Sequence, residues 1–539
     1  MNPRASIAFM ALLIGVLVSW LMLQRPQKPD SSSKDKKAKP PAPQFFPGDP
    51  KSQRTIASSS SRDSNFDSRA IPNERIVRFD DDASYQAFLR SLSGSNIRNL
   101  GSIDVLRAVR IGFDSINDFN ALDLDAENVD YNYPVSIPEN NQNVPPQDGV
   151  VGFGRDALAF LGINQDNSEW GRGVKIAVID TGIAPHLALT GSIEHINLVA
   201  LPDGVPPNSH GTSVASLIAG NHPNMRGVAP AADLISVRVA DETGYSNSLL
   251  LAEGIIAAAD AGADLINISM GSDGDSMVVQ QAVDYARENG AVIFASSGND
   301  GQQRASSPAR DPDVFAVGAV DANGTHLNFS SSDDGLAFTA PGLGIEAAAP
   351  GDLITSFTGT SASVAYPVGA AAAIMSESPV TITSQEAVMI LQNYSNEAGL
   401  PGQDAQFGHG VLDVGRAINR DTPGINDLAV ASQNYLLPTL EDSSSGLQVS
   451  IENRGTEPIF GASVQIDVGN SRFTPVIQSL EPNERRVITI PSGLNTLTGE
   501  GALSVTSSVR LPEGTLDTNS SNNTRREVIT YQTEQSNGP

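Results

Sequence analysis

The sequence of residues 359–374 is Gly-Thr-Ser-Ala-Ser-Val-Ala-Tyr-Pro-Val-Gly-Ala-Ala-Ala-Ala-Ile. A Gly-Thr-Ser turn opens directly into a run of small apolar residues, which predicts a buried helix that packs closely against its neighbours. Ser361 falls in the first turn of this helix, where unsatisfied backbone N–H groups and the positive end of the helix dipole favour a developing anion. A serine at this position acts as an N-cap or as a nucleophile, and by itself it indicates the cap.

Two other stretches favour the nucleophile. Residues 174–182 read Val-Lys-Ile-Ala-Val-Ile-Asp-Thr-Gly, an apolar run typical of a buried parallel strand. The run ends at Asp180, and open α/β sheets bind their ligands at the carboxyl ends of such strands. His210 begins a second helix of small residues, 30 residues after Asp180 and 151 residues before Ser361. Together the three motifs, in the order Asp, His, Ser, resemble those of the subtilisin-like (subtilase) serine protease family.

The resemblance implies a serine endopeptidase in which each of these residues has a role. Ser361 is the nucleophile, His210 is its general base, and Asp180 orients and stabilises the imidazole. The segment Ala295-Ser296-Ser297-Gly298-Asn299 follows an apolar strand and resembles the oxyanion segment of the family. Asn299 is therefore implied as a donor to the oxyanion, together with the Ser361 backbone N–H.

The resemblance also implies where a substrate binds. Two extended segments match the family's substrate rails, to which a peptide adds as a β-strand: Ser269-Met270-Gly271 and Thr243-Gly244-Tyr245. Gly298 is implied in the pocket for the residue before the cleaved bond. Calcium commonly stabilises the family, but no calcium ligand carries over to this sequence. Asp273-Gly274-Asp275 fits a calcium site or a solvated turn, and the turn is favoured. No cofactor is therefore certain, and calcium stays open as a structural ion.

The 539 residues are enough for several domains. Residues 150–420 alternate strands with helices, which predicts an α/β domain with a parallel sheet. Residues 73–139 have a β-α-β-β-α-β, ferredoxin-like pattern, and their position resembles that of the inhibitory propeptide of subtilases. Residues 425–531 alternate apolar and polar positions between turns, which predicts an antiparallel β-sandwich similar to bacterial adhesion-related immunoglobulin-like modules. Residues 532–539 are predicted to be a disordered tail.

Residues 5–24 carry no charge and are mostly apolar, a length that matches a membrane-spanning helix. Residues 1–24 are therefore interpreted as a signal anchor, with a cleaved signal peptide as the alternative, and residues 25–72 as a disordered linker. The basic residues that follow the apolar stretch would keep the body in the cytoplasm by the positive-inside rule. The family is mostly exported, so the body is nevertheless expected to face the periplasm or exterior, either anchored or secreted.

The composition limits the classes of molecule that the protein is expected to bind. The formal net charge is −27, which opposes binding to nucleic acid, and the chain contains no cysteine. The expected partners are protein or peptide substrates and the chain's own propeptide. Asp-Thr-Gly is also an aspartic protease signature, but that class needs two carboxylates and no second motif is present. The remaining alternative is a non-catalytic adhesion protein on a protease scaffold, which the intact set of Asp180, His210, Ser361 and Asn299 disfavours.

Overall fold

A computed structural model describes residues 67–138, 147–436, 446–491 and 500–532. The N-terminal domain has a four-stranded antiparallel sheet with two helices, and the strand order is β2-β3-β1-β4. Its core contains Val77, Tyr85, Phe88 and Ile111. This is the ferredoxin-like arrangement that the sequence predicts. The elements are β1 (Glu74–Arg78), α1 (Asp82–Ser91), β2 (Ile97–Ile103), β3 (Ala108–Phe113), α2 (Ile116–Asn120), a 3₁₀ turn (Ala126–Asn128) and β4 (Val129–Tyr131).

The residues just before this sheet differ from the prediction. Residues 67–72 were expected to belong to the disordered linker, but Ala70 is buried and the Ile71 N–H donates to the Asn132 carbonyl at 2.8 Å. Arg69 and Asp67 form an ion pair of 2.7 Å. The segment therefore belongs to the N-terminal domain, because it buries Ala70 and bonds the backbone of Asn132, which a disordered linker would not do.

The second domain is an α/β unit. Its sheet has seven parallel strands in the order β15-β14-β13-β12-β6-β10-β7, which confirms the predicted fold class. The strands of this sheet are β6 (Lys175–Asp180), β7 (Ile193–Asn197), β10 (Asp233–Arg238), β12 (Leu265–Ile268), β13 (Val292–Ser296), β14 (Val314–Val320) and β15 (Leu336–Pro341). Three two-stranded pairs lie outside it: β5 (Pro134–Ser136), which belongs to the N-terminal domain, with β11 (Tyr245–Asn247); β8 (Asn221–His222) with β9 (Met225–Arg226); and β16 (Ile345–Ala349) with β17 (Leu353–Phe357).

Helices cover both faces of this sheet. Every residue from Thr360 to Ile374 is buried, because the small side chains of this helix let its backbone pack closely against the sheet and a neighbouring helix. On the other face two helices pack against Ile179, Val237 and Ile266. The helices are α3 (Ala157–Phe160), α4 (Ser209–Ala219), α5 (Ser248–Asp260), α6 (Met277–Glu288), α7 (Thr360–Glu377), α8 (Ser384–Tyr394) and α9 (Val414–Ile418).

The C-terminal domain consists of two antiparallel sheets that enclose one apolar core. One sheet has the order β18-β19-β23, and the other is built around β20, β24 and β25. Inward-facing residues of both sheets, among them Val449, Ile466 and Val509, form the core. The elements are β18 (Leu428–Leu436), β19 (Gly446–Asn453), β20 (Ile459–Val468), β21 (Ser471–Phe473), β22 (Val476–Leu480), β23 (Arg485–Pro491), β24 (Glu500–Arg510), a 3₁₀ turn (Ser520–Asn522) and β25 (Thr524–Gln532).

A buried ion network joins this sandwich to the α/β domain. Glu452 of the sandwich is fully buried and pairs with Arg416 of α9 at 2.8 Å. Two arginines of the sandwich also pair with the Glu452 carboxylate, Arg454 at 2.9 Å and Arg485 at 3.4 Å. Burial would raise the pKa of Glu452, but the three guanidinium groups outweigh it and lower the pKa to about 2. The carboxylate therefore stays ionised in the folded protein and ties the two domains together.

We expect Glu452→Gln to lower the free energy of unfolding by about 3 kcal/mol at pH 7, because it removes the carboxylate that pairs with the buried Arg416 and with Arg454. Arg485 keeps a second partner, Glu397, at 2.7 Å. The folded-state pKa lies below the ordinary value of 4.5. The carboxylate thus contributes its full stability above pH 4.5, and this contribution is lost as the pH falls towards 2. Denaturant unfolding at pH 7 and at pH 3 measures both effects. The exposed Glu513→Gln is the control, and equal stability of the two variants at pH 7 would contradict the prediction.

In the part of the chain that the structure describes, no helix is long and apolar enough to cross a membrane. The predicted anchor, residues 5–24, lies outside the described residues, as do most of the predicted linker and tail.

Candidate active site

Asp180 and His210 form a buried pair at the carboxyl edge of the parallel sheet. Asp180 is the last residue of β6 and is fully buried, and both of its carboxylate oxygens lie 2.9 Å from His210 Nδ1. The Thr181 N–H and hydroxyl also donate to Asp180 Oδ1, at 2.7 and 3.1 Å. These bonds fix the carboxylate, and the proton shared at Nδ1 makes Nε2 the basic nitrogen of His210.

Local sequence explains how His210 reaches Asp180. Asn208 caps helix α4, since its Oδ1 accepts from the His210 N–H at 3.0 Å. The next residue must be glycine, because a Cβ on Gly211 would lie 2.5 Å from the Gly182 carbonyl oxygen. This close approach brings the first turn of the helix against the end of β6. The ring of Phe357 meets the imidazole edge to face at 5.2 Å and limits its rotation.

Ser361 is the second residue of helix α7 and is 1% exposed. Its hydroxyl donates to the Ser269 carbonyl oxygen at 3.1 Å. A hydroxyl has a single proton, so in this conformation Ser361 does not donate to His210. The hydroxyl proton must therefore turn from the Ser269 carbonyl before the imidazole can accept it.

Asn299 is held by the residue before the serine. Its Oδ1 accepts from the N–H and from the hydroxyl of Thr360, each at 2.9 Å. These two bonds fix the orientation of the amide and leave its Nδ2 as a donor to other groups. Gly359 has a φ of 137°, and a Cβ there would lie 2.8 Å from Asn299 Nδ2. The glycine of the Gly-Thr-Ser turn is therefore required by both its backbone conformation and the adjacent amide.

The chain's own residues 134–138 lie in the cleft beside this site. Strand β5 pairs antiparallel with β11, with Tyr245 opposite Ser136. On the other side Ser136 exchanges two backbone hydrogen bonds with Gly271, at 3.0 and 2.9 Å, and the Ile137 N–H donates to the Gly244 carbonyl at 3.2 Å. The segment is thus a strand inserted between two rails. The open part of the cleft has a volume of about 550 Å³.

The strand ends at the side chain of Asn299. Asn299 Nδ2 donates to the Pro138 carbonyl oxygen at 3.0 Å. This is the distance at which a donor stabilises the oxygen of a tetrahedral intermediate.

The structure brings together most of the site residues predicted from sequence. Gly244, Tyr245 and Gly271 pair with the inserted strand, and Gly298 lies in the cleft wall. Two predicted substrate-binding residues make different contacts. Ser269 bonds Ser361 and the amide of Asn267, and the fully buried Met270 belongs to the apolar cluster that also contains Val135 of the strand.

The segment Asp273-Gly274-Asp275, predicted to be a turn or a calcium site, is in contact with other side chains of the protein. The Asp275 carboxylate pairs with Arg304 at 2.6 Å and also with Arg310, so cationic side chains neutralise it. Among the described residues, no group of three or more histidine or acidic side chains is placed to hold a metal ion. Gly274, between the two aspartates, instead lies against the ring of Tyr133.

Comparisons with known proteins agree with this geometry. Residues 171–410 match the model of the Subtilase family. Subtilisin Savinase of Lederbergia lenta is 35% identical over 248 residues, which are 45% of this chain and 90% of that protein. The chain belongs to the subtilase family of serine endopeptidases.

A further relative and a solved structure are also similar to this subtilase. Alkaline elastase YaB of Bacillus sp. (strain YaB) is 36% identical over 256 residues, which are 47% of the subtilase chain and 66% of the elastase. Among solved structures, fervidolysin from Fervidobacterium pennivorans, a keratinolytic enzyme related to subtilisin, matches with a TM-score of 0.56 and 20% identity. That match covers 87% of this chain and 77% of fervidolysin, and at this identity it supports the fold alone.

Sequence reasoning missed four residues of the site. Thr360 is part of the Gly-Thr-Ser motif, but its hydrogen bonds to Asn299 join residues 61 positions apart, which the motif does not predict. Phe357, Ser248 and Gly274 carried no local signal of a site. Their contacts with His210 and with the inserted strand come from the packing of separate elements.

Proposed function

We propose that this subtilase hydrolyses peptide bonds through Asp180, His210 and Ser361, with Asn299 in the oxyanion hole, and that it is made as a zymogen that cleaves itself after Pro138. The observation that carries the proposal is the carbonyl of Pro138, which sits 3.0 Å from Asn299 Nδ2 at the end of a strand bound in the cleft. A carbonyl in this position is oriented as that of a bond about to be cut, or as that of the product of the cut.

The chemistry follows from the arrangement. Ser361 Oγ turns from the Ser269 carbonyl, gives its proton to His210 Nε2 and attacks the carbonyl carbon. The charge that develops on the carbonyl oxygen is stabilised by Asn299 Nδ2 and by the Ser361 backbone N–H. His210 then protonates the leaving amine as the peptide bond breaks, leaving an acyl-enzyme. Water, deprotonated by His210, attacks this ester, and the imidazolium returns the proton to Ser361 Oγ as the carboxylate product leaves. Asp180 stabilises the imidazolium in each half of the reaction.

The contacts of the N-terminal domain support its role as an inhibitory propeptide. Besides the strand in the cleft, Asp130 of β4 caps helix α6 of the α/β domain. Its Oδ2 accepts from the Ser276 hydroxyl at 3.0 Å and from the Met277 N–H at 2.7 Å. The domain has its own core, so its strand is presented to the cleft in a preorganised form. After cleavage it would remain bound as a product.

We expect residues 67–138, added in trans, to inhibit the processed enzyme at micromolar concentration, because the strand fills the cleft on a folded support. The measurement is a titration of the purified segment against hydrolysis of fluorescent casein. A matched segment, residues 67–132, retains strands β1–β4 but lacks the strand that enters the cleft, and should inhibit far less. Equal inhibition by the two segments, or none by either, would contradict the propeptide assignment.

We place the protein outside the cytoplasm, anchored through residues 5–24 or released after their removal. The support is the uncharged apolar stretch at residues 5–24 in the sequence. Self-inhibition by the propeptide would restrain the protease until export is complete. No specific observation favours the alternative of a non-catalytic adhesion protein.

A further inference from the structure

The strand in the cleft is longer than its β-ladder with Tyr245–Asn247. One residue before that ladder, the Tyr133 N–H donates to the Ser248 hydroxyl at 3.2 Å, and the Ser248 N–H donates to the Tyr133 carbonyl at 3.0 Å. Counted back from the Pro138 carbonyl at Asn299, Tyr133 is the sixth residue on the acyl side of the bond that would be cut. Backbone hydrogen bonds to the α/β domain therefore fix the chain along this whole length.

The side chain of Tyr133 lies flat on a glycine of the α/β domain. A Cβ on Gly274 would lie 2.1 Å from Cδ1 and 2.2 Å from Cγ of the Tyr133 ring, and the three atoms nearest to it all belong to this ring. Any larger residue at this position would exclude the ring. Gly274 does not have a positive φ, so the backbone itself does not require glycine there. The missing side chain accommodates the aromatic ring.

The other residues around the Tyr133 ring belong partly to the N-terminal domain and partly to the α/β domain. Tyr133 is 5% exposed, and its hydroxyl donates to Asp67 Oδ2 at 3.1 Å. The Arg69 guanidinium lies 5.9 Å from the ring centroid and donates to the Asp273 carbonyl at 2.9 Å. Asp67 and Arg69 leave with the N-terminal domain. Gly274, Asp273 and Ser248 stay on the enzyme, and they form an open platform once the strand is gone.

We propose that Gly274 is the floor of a distal subsite that accepts an aromatic side chain six residues before the cleaved bond, so that this subtilase selects extended substrate strands with an aromatic residue at that position. This inference rests on the proposed function and names part of its substrate class. Ser248 fixes the backbone of the sixth residue, and the ring then covers the glycine. An aromatic ring removed from water in this way raises kcat/KM by about tenfold over alanine, even without Asp67 and Arg69.

The test uses two quenched fluorescent peptides, Tyr-Pro-Val-Ser-Ile-Pro-Glu-Asn-Asn-Gln, which copies residues 133–142, and the same peptide with alanine in place of tyrosine. The processed enzyme should cleave the tyrosine peptide with about tenfold higher kcat/KM. In Gly274→Ala the ratio of the two values should fall to about one. The control is Gly152→Ala, an exposed glycine whose added Cβ would have its nearest neighbour at 3.6 Å, and it should keep the tenfold ratio.

All enzymes are produced from a Tyr133→Ala zymogen, so that the propeptide docks equally well on each variant. A ratio of one in the wild-type enzyme would overturn the subsite, and an unchanged ratio in Gly274→Ala would overturn its assignment to this glycine. Cleavage of casein without cleavage of either peptide would overturn the proposed strand specificity. A preparation that cleaves neither casein nor the peptides would instead contradict the proposed function.

Discussion

Ser361→Ala is expected to abolish casein hydrolysis and to leave the chain unprocessed. The wild-type chain should release a product that begins at Glu139, because the Pro138 carbonyl accepts from Asn299, the proposed oxyanion donor. Without the hydroxyl no acyl-enzyme can form, and kcat should fall by roughly 10⁶-fold, the loss that removal of this serine causes in subtilisin. Fold and stability should change little, because the hydroxyl bonds only the Ser269 carbonyl. Casein assays and N-terminal sequencing of the purified chains measure both effects.

The matched control is Ser363→Ala. Ser363 lies on the same helix and is equally buried, but its hydroxyl makes only a long bond of 3.5 Å to the Gly359 carbonyl. This variant should process itself and hydrolyse casein like the wild type. Ser361→Ala with wild-type activity, or Ser363→Ala with the same complete loss, would show that the nucleophile has been assigned to the wrong residue.

Asn299→Ala is expected to lower kcat by roughly 10²–10³-fold with little change in KM, the effect known for the oxyanion asparagine of subtilisin. Thr360 holds Oδ1 with two bonds of 2.9 Å, so Nδ2 is oriented before the substrate arrives. Such a preorganised donor acts most strongly when charge develops on the carbonyl oxygen. Steady-state kinetics on a peptide substrate separate the two constants.

An effect confined to KM would contradict the oxyanion role, since it would mean that Asn299 binds the ground state and the transition state equally. Asn289→Ala serves as the control. Asn289 is exposed at the end of helix α6, and it bonds the Tyr285 carbonyl at 2.8 Å. Its loss should leave both kinetic constants at their wild-type values.

The fold and the positions of the candidate catalytic residues could be predicted because their signals are local. The apolar run before Asp180 and the small-residue helix after Ser361 each specify an element and a position at its end. Parallel strands then bring such ends to the same edge of the sheet. The observed elements β6 and α7 agree with these predictions.

The remaining features depend on contacts between distant elements. The bond from Ser361 to the Ser269 carbonyl joins residues 92 positions apart, and no local pattern encodes it. The aspartates on either side of Gly274 predict a turn. The ring that covers this glycine comes from Tyr133, which is far away in the sequence, so no local pattern reveals the contact. Similarly, Glu452 lies in an ordinary strand pattern, and its partner Arg416 belongs to another domain.

Labelling of the processed enzyme with a fluorophosphonate tests the central claim most directly, because the probe reacts only with a serine activated by its base and oxyanion hole. Intact mass measurement and peptide mapping should show one adduct per chain, on Ser361. The labelling should be lost on addition of residues 67–138. A chain that hydrolyses casein but carries its adduct on another serine, or takes up no probe, would contradict the account.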